Sequence, residues 1–298
     1  MNHHDVRGVD NRRGTGGRLG DDEPLCARGR ALLDDPEDRH DEAIEVLRRA
    51  VAAREPSAAA LLTRAYLDRG FRYEAIELLT PRVRAGRADL ALQLADALAS
   101  IGDVERAEDA YRTAVNGGDV AAMNTFGVFL RHRGRPGEAE MMLRRAAEAG
   151  DELAPMNLVA LQWEVSGDPR LSLRTAEQWA DEGQPSTLLG LAFIKTATRH
   201  YDEAERIYQR AAELGAYRGH IEYALFLQEV REDLDAAERE FEAAEKEQEP
   251  GWALAFGRFL ADMGRPAEAR AYLEHAAHWG SVAASEALEE LDGDPSDD

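Results

Sequence analysis

The stretch Val120–Asp151, VAAMNTFGVFLRHRGRPGEAEMMLRRAAEAGD, carries the pattern that decides the fold. Its first half places apolar or small residues at the spacing i, i+3, i+4, i+7, namely Met123, Phe126, Gly127 and Leu130. The second half repeats this spacing at Ala139, Met142, Leu143 and Ala146. Because residues at this spacing share one face of a helix, the stretch predicts two consecutive amphipathic helices.

The residues between and after these helices predict where each one ends. Gly134 can adopt a positive φ and so end the first helix, and Pro136 suits the first turn of the second, where its missing N–H is not needed. Gly150 is placed to end the second helix. The unit is therefore a helical hairpin, and its apolar stripes exceed what two helices can bury against each other. It needs neighbouring hairpins.

Small residues recur through the chain in step with this hairpin. One column lies near the start of each second helix, at intervals of 32 or 33 residues: Ala43, Ala75, Ala107, Ala139, Ser172, Ala204, Ala237 and Ala269. A second column marks where the two helices of a hairpin approach: Ala31, Thr63, Ala95, Gly127, Ala160, Ala192, Ala224 and Gly257. A larger residue four places after the first column fills the space between hairpins: Leu47, Leu79, Tyr111, Leu143, the shorter Ala176, Tyr208, Phe241 and Leu273. Two columns in register over eight units indicate a repeat array.

At this level the chain resembles the tetratricopeptide repeat family, and some units are similar to the related Sel-like repeats. The resemblance rests on the motifs YEAIELL, GEAEMML, DEAERIY and AEARAYL, and on the endings RRAAEAGD, QRAAELGA and EHAAHWGS. It covers roughly residues 24–283, and the repetition makes it specific. The aromatic that the family often carries early in its first helix is replaced here, for example by Met123.

The resemblance implies an all-α fold, a right-handed superhelical solenoid of about eight two-helix repeats followed by a C-terminal capping helix. We expect three regions: a disordered N-terminal arm at 1–22, the solenoid with its capping helix at 23–291, and an acidic disordered tail at 292–298. The glycine-rich RGTGGRLG of the arm lacks a following Lys-Ser/Thr pair and a preceding strand, so it does not indicate a nucleotide-binding loop. Pro81, late in a second helix, predicts a kink or an early helix end.

Composition limits the function classes. The formal charge of −22, from 36 basic and 58 acidic residues, opposes binding to a phosphate backbone and favours basic or neutral partners. No run of 18 apolar residues exists, so membrane insertion is not expected. The N-terminal sequence lacks the apolar segment of a secretory signal, so we expect a cytoplasmic protein. The oligomeric state is left open.

A search for reaction chemistry yields no catalytic, cofactor-binding or metal-binding set. His275 and His278 stand at i, i+3 without a third ligand of defined spacing, which favours an exposed helix face over a zinc site. His220 is isolated in sequence, and carboxylate pairs are expected on the helix faces of so acidic a chain. Cys26 is the single cysteine and is interpreted as a small packed residue rather than a reactive thiol. No cofactor is predicted.

The resemblance does imply a binding surface, because the first helices of the family line a concave groove that holds a peptide or a partner's helix. Carried over by position, the predicted peptide-binding or partner-binding residues are Asn124, Val128, Arg131, Asn157, Leu161, Phe193, Ile221 and Leu225. The same transfer adds Arg64, Asp96 and Arg258. Asn124 and Asn157 could bond the backbone of an extended peptide, or could equally form a hydrogen bond within the solenoid. The family's basic clamp for a C-terminal carboxylate is not visible.

These observations favour a non-enzymatic protein-interaction scaffold that binds a peptide or partner protein in the groove. A peptide-sensing regulatory protein is the alternative. An unrecognised enzyme would need titratable residues that converge inside the superhelix, and RNA recognition is opposed by the charge. The interaction function rests on analogy with the family.

The register itself is testable. Ala139→Glu would bury a charge between two helices and destabilise the middle of the array by several kcal/mol. Thermal unfolding of the variant measures this loss. Unaltered stability would refute the register of the two columns.

Overall fold

The structure, a computed structural model, describes residues 24–35 and 38–293. Within these ranges it contains 17 α-helices and no β-strand, so the predicted all-α array of helical hairpins is confirmed. The helices are α1 (Leu25–Leu33), α2 (His40–Ala52), α3 (Ala58–Asp68), α4 (Arg72–Arg84), α5 (Ala91–Ser100), α6 (Val104–Asn116), α7 (Val120–His132), α8 (Pro136–Glu148), α9 (Ala154–Ser166), α10 (Pro169–Trp179), α11 (Leu188–Ala197), α12 (Tyr201–Glu213), α13 (Gly219–Phe226), α14 (Leu234–Glu247), α15 (Trp252–Asp262), α16 (Pro266–His278) and α17 (Val282–Gly293).

The expected N-terminal arm and its RGTGGRLG segment lie outside the described residues. So does most of the acidic tail, although Asp292 and Gly293 belong to α17 and extend the predicted capping helix by two residues. Helix α4 continues past Pro81 to Arg84, so the early helix end is wrong, whereas the alternative of a kink stays a prediction. Beside the proline, the Arg82 guanidinium donates a hydrogen bond to the carbonyl oxygen of Leu78.

The chain divides into two compact units at Ala65/Tyr66. The first unit contains α1, α2 and most of α3. Its two complete helices pack closely because Gly29 lies against Leu47: a Cβ at Gly29 would be 2.6 Å from Leu47 Cγ.

The second unit is a stack of hairpins in chain order. Helices α5 and α6, α7 and α8, α9 and α10, α11 and α12, α13 and α14, and α15 and α16 pair within hairpins, and each second helix also packs against the first helix of the next hairpin. Helix α17 packs on α15 and α16 at the end of this unit. Each hairpin therefore buries its apolar stripes largely against its neighbours in sequence, as expected of a solenoid.

The column of small residues near the start of each second helix is confirmed. All eight residues are 0% exposed: Ala43, Ala75, Ala107, Ala139, Ser172, Ala204, Ala237 and Ala269. The larger residues four places later are buried as well. The column therefore marks fully buried positions on the second helices, where a larger side chain would force helices apart.

The second column holds in six hairpins and is shifted in two. Ala31 is exposed, and its place opposite Leu47 is taken by Gly29, because the segment before α2 changes the spacing. Ala160 is half-buried, whereas Val159 is 0% exposed and packs in one cluster with Ala176. Here the sizes are reversed, since a larger residue on the first helix meets a smaller one on the second. The pair fills the same space as Gly127 and Leu143.

Positive φ at the turns falls on glycine in several hairpins and on other residues in the rest. Gly134 (φ 70°) and Gly150 (φ 93°) end their helices as predicted. In the sixth and seventh hairpins, Arg199 (φ 63°) and Glu232 (φ 56°) take the left-handed conformation instead. Glu232 follows a π-helical turn, Leu227–Arg231, which accommodates the additional residue of the 33-residue interval between Ala204 and Ala237.

The reversed pair suggests a double-mutant cycle. A Cβ at Gly127 would lie 2.7 Å from Leu143 Cγ, so Gly127→Val should overpack the hairpin and lower the free energy of unfolding by about 1–3 kcal/mol. The double variant Gly127→Val/Leu143→Ala copies the Val159/Ala176 arrangement. It should be less destabilising than the sum of the two single changes, with a coupling energy of about 1–2 kcal/mol.

Urea unfolding of the four proteins measures this coupling. Gly137→Val is the matched control, because a Cβ at Gly137 meets no atom within 4 Å and should show no coupling to Leu143→Ala. Additive effects of Gly127→Val and Leu143→Ala would contradict the proposed complementarity.

Candidate functional site

Most of the predicted binding residues lie on the first helices of the second unit with partly accessible side chains. Val128, Phe193 and Leu225 are half-buried apolar residues on α7, α11 and α13. Asn157 and Arg131 are also half-buried, and Asn124 is 8% exposed. We call these six residues of the first helices the first-helix face. It combines apolar side chains with amide and charged groups.

Two predicted residues do not belong to this face. Ile221 is 0% exposed and packs in the core with Phe241, and Leu161 is 3% exposed and borders a small cavity with Pro136 and Leu171. The prediction that they contact a ligand is therefore wrong. For Leu161 the reason is register: burial in α9 follows burial in α7 with an offset of 32 residues, so Leu161 corresponds to Phe129 and not to Val128.

The two asparagines contact each other. Asn157 Nδ2 donates to Asn124 Oδ1 at 2.9 Å, which links first helices of adjacent hairpins. The structural role considered from the sequence is thus present. The Asn124 Nδ2 donor and the Asn157 Oδ1 acceptor form no hydrogen bond with another described residue. If the oxygen and nitrogen positions of both side-chain amides were exchanged, one NH₂ group and one carbonyl oxygen would still lack a partner, because each amide has one of each group.

Two further polar contacts link adjacent hairpins. Arg131 Nε donates to Glu164 Oε2 at 2.6 Å, and further along Gln228 Nε2 donates to Asp262 Oδ2 at 3.3 Å. Because Glu164 already neutralises Arg131, this arginine is poorly suited to bind a free carboxylate.

The three further residues carried over from the family resemblance lie in separate local environments. Asp96 accepts a hydrogen bond of 2.7 Å from the Tyr111 hydroxyl, and burial raises the pKa of Tyr111, which keeps this donor protonated. Arg64, in the first unit, lies 3.3 Å from Asp34. Arg258, in the second, is exposed and borders a shallow cavity beside α17.

Among the groups considered for chemistry, Cys26 behaves as expected of a packed residue. Burial and the adjacent Glu55 raise the pKa of the Cys26 thiol to about 11, so the thiolate is scarce at neutral pH. His275 and His278 contact different partners: the His275 ring is 5.3 Å from the Trp252 ring, and His278 Nε2 is 3.0 Å from the Arg69 guanidinium.

His220 is the titratable residue whose surroundings the sequence did not reveal. Its Nδ1 lies 2.7 Å from Glu240 Oε2, its Nε2 lies 3.7 Å from Glu247 Oε2, and its backbone N–H donates to Glu249 Oε1 at 3.0 Å. The hydrogen bond to Glu240, with the charges of all three glutamates, raises the pKa of His220 above its ordinary value. The chain returns to the start of α13 only after the whole of α14, so sequence spacing gave no sign of this cluster.

None of the helices in the described part of the chain is both long and apolar enough to cross a membrane.

The raised pKa of His220 makes stability depend on pH. A folded-state pKa above the unfolded value means that the His220–Glu240 pair stabilises the fold fully below about pH 6.5 and loses this contribution as pH rises through the folded pKa. Glu240→Gln should therefore lower the free energy of unfolding more at about pH 6 than at about pH 8.5.

Urea unfolding in chelator-treated buffer at the two pH values tests this. Glu242→Gln, an exposed change on the same helix, is the control and should show no such difference. A destabilisation by Glu240→Gln that is equal at both pH values, or larger at the higher one, would contradict the assignment.

One part of the chain matches a known repeat family. Residues 120–149, which contain the hairpin of α7 and α8, match the profile of the tetratricopeptide repeat. The sequence finds no match among curated proteins.

Three solved structures illustrate the likeness of the fold. Yeast Tom70 is 15% identical with a TM-score of 0.61, covering 93% of this chain and 65% of its own. The c5321 protective antigen of uropathogenic Escherichia coli, with an SLR fold, is 20% identical with a TM-score of 0.45, covering 89% and 63%. A Sel1 repeat protein from Oxalobacter formigenes is 21% identical with a TM-score of 0.48, covering 72% and 97%.

This chain spans less than two thirds of the length of Tom70 and of c5321. At these identities the comparison concerns the fold, and it is the Tom70 likeness, with a TM-score above 0.5, that supports it. Together with the matched repeat at residues 120–149 and the buried columns, it supports an all-α array of helical hairpins.

Proposed function

We propose that the protein is a non-enzymatic interaction scaffold whose first-helix face binds a peptide or a segment of a partner protein. The observation that carries this proposal is the pair Asn124 and Asn157. Their mutual hydrogen bond orients two amides one hairpin apart and leaves one donor and one acceptor without a partner among the described residues.

An extended peptide offers the complementary groups. Its backbone presents C=O acceptors and N–H donors in alternation, so an oriented amide donor and acceptor can bind it whatever its side chains are. The half-buried Val128, Phe193 and Leu225 would add apolar contact, which supplies affinity where a polar pair alone gives little.

Charge indicates the composition of the partner. With a formal charge of −22, the protein attracts basic segments and repels nucleic-acid phosphates, so the partner is a protein or peptide that is neutral or basic. We also propose that the scaffold acts in the cytoplasm, which fractionation of cells would test.

Site-specific photo-crosslinking tests the surface and the amide pair together. Val128→p-benzoylphenylalanine places the crosslinker on the first-helix face, and Met141→p-benzoylphenylalanine places it on a second helix, at a side chain that is 52% exposed. We expect a crosslinked protein from position 128 and not from position 141. Adding Asn124→Ala/Asn157→Ala should reduce its yield at least about tenfold, because two hydrogen bonds to the ligand are lost.

The double change is the appropriate one because removing both partners of a hydrogen bond leaves neither amide unsatisfied. Equal folding of all variants is checked by circular dichroism and thermal unfolding. Equal crosslinking at both positions, or crosslinking at position 128 that survives the double change, would contradict the proposed site.

A peptide-sensing regulator is the second candidate, and two neighbouring contacts favour it. Within the second unit, the Arg72 guanidinium donates to the carbonyl oxygen of Gly280 at 2.8 Å, and Arg69 contacts His278, so the start of this unit touches the turn before α17. A ligand that separated these segments would expand the unit. An increase in radius of gyration on ligand addition, measured by X-ray scattering, would support regulation, and no change would favour a passive scaffold.

A further inference from the structure

The start of α13 and the end of α14 bring together four side chains that can serve a metal ion. Ligand atoms of His220, Glu247 and Glu249 lie within 4.8 Å of one another, and Glu240 lies 2.7 Å from Nδ1 of the same imidazole. These residues belong to one hairpin and the turn that follows it.

Glu249 is fixed in this cluster by the backbone. Its Oε1 accepts from the His220 N–H at 3.0 Å and its Oε2 from the Ile221 N–H at 3.1 Å, and the residue is only 8% exposed. The carboxylate thus satisfies two amides that have no acceptor inside the helix. Each oxygen retains a lone pair, since an ionised carboxylate can accept about four hydrogen bonds.

The first hairpin contains the same cap without the other groups. Glu55 accepts from the Leu25 and Cys26 N–H groups at 3.1 and 2.8 Å, and, like Glu249, it follows a residue of positive φ and precedes a proline. When the two caps are aligned, the positions of His220, Glu240 and Glu247 are occupied in the first hairpin by Leu25, Val46 and Ala53. The cap therefore needs no histidine and no further glutamate, and their presence around Glu249 requires a separate reason.

The orientation of His220 supplies that reason. An N–H at Nδ1 directed to Glu240 leaves the lone pair on Nε2, which is the nitrogen that faces Glu247. A carboxylate that holds the distal nitrogen in this way is the usual companion of a zinc-binding imidazole, because it fixes the tautomer and increases the basicity of the ligand atom.

We propose that His220, Glu247 and Glu249 bind a Zn²⁺ ion, with Glu240 as the residue that positions the imidazole and water as the fourth ligand. Zinc accepts nitrogen and carboxylate oxygen at about 2.0–2.2 Å, which places ligand atoms of a tetrahedral site roughly 3.3–3.6 Å apart. The distance of 3.7 Å between His220 Nε2 and Glu247 Oε2 is close to this.

Small movements complete the geometry. The Glu247 side chain is 54% exposed and can rotate towards the ion, whereas Glu249 and His220 are already held. Three carboxylates around one imidazole also favour a divalent cation over a neutral ligand. Arg218, two residues before His220 in sequence, donates to the Pro250 carbonyl oxygen and lies 3.5 Å from Glu222, so its charge is directed to other groups.

Equilibrium dialysis of the full chain against ZnCl₂, followed by elemental analysis, tests the proposal. We expect one zinc per chain, bound at least about 100-fold more weakly in His220→Ala, and about 10–100-fold more weakly in Glu240→Gln, because the positioning residue acts through the imidazole. Cobalt substitution should give the intense visible absorption of a tetrahedral site. The affinity for zinc should decrease as the pH is lowered, since a proton competes for Nε2.

Glu247→Gln provides the variant least able to disturb folding, because this side chain is largely exposed, and it should weaken binding at least tenfold. His275→Ala/His278→Ala and His3→Ala/His4→Ala remove the other histidine pairs and should leave binding unchanged. Failure to bind zinc, or binding that persists in His220→Ala and disappears in either paired variant, would overturn the proposal.

Discussion

The whole array depends on the close approach of each second helix to its neighbours at one small residue. That residue is alanine in seven hairpins and serine in the fifth, and it is 0% exposed in all eight. Because these positions are fully buried, the larger side chains around them must fill a fixed volume. This explains how Val159 opposite Ala176 can replace Gly127 opposite Leu143: the total volume is kept although the sizes exchange helices.

The same constraint explains which features the sequence could predict. Burial in a solenoid is determined mainly by contacts within a hairpin and with its neighbours, so a period of 32 or 33 residues was enough to identify Ala139 and its equivalents. However, an alignment that is wrong by one residue moves the assigned position by about 100° around the helix axis, which exchanges a core position for a surface position. Leu161 was misplaced for this reason, and the shift arises because α9 keeps the offset of 32 while the following second helix begins one residue later. Ile221 was misplaced because its position is shared with Asn124, which is itself nearly buried.

Contacts made by the turns could not be predicted from the repeat pattern of the sequence. Glu55 and Glu249 each reach back across a hairpin to cap the helix that began it, whereas Asp103, Asp119 and Asp233 cap the helix that directly follows them. The repeated Glu-Pro dipeptide at 55–56 and 249–250 was the one available signal, since both follow a second helix. It could have indicated the caps. It could not have indicated His220 and Glu240, because their approach depends on the length of α14 and on the left-handed conformation of Gln248.

The arrangement of charge leads to a conclusion about the surface. Three arginines at turns between the helices of a hairpin each bind two carboxylates. Arg135 and Arg265 each bind one on their own second helix and one on the second helix of the preceding hairpin, namely Glu138 and Glu108, and Glu268 and Glu238. Arg231 binds Asp202 and Glu205, both on the second helix of the preceding hairpin. These arginines connect hairpins, and on the first-helix face Arg131 connects α7 to α9 through Glu164. Because so much of the basic charge is neutralised internally while acidic residues outnumber basic ones by 22, the charge left for a partner is predominantly negative. The selectivity of such a surface therefore cannot come from attraction alone, which any basic segment would share, and must come from groups of fixed position such as the amides of Asn124 and Asn157.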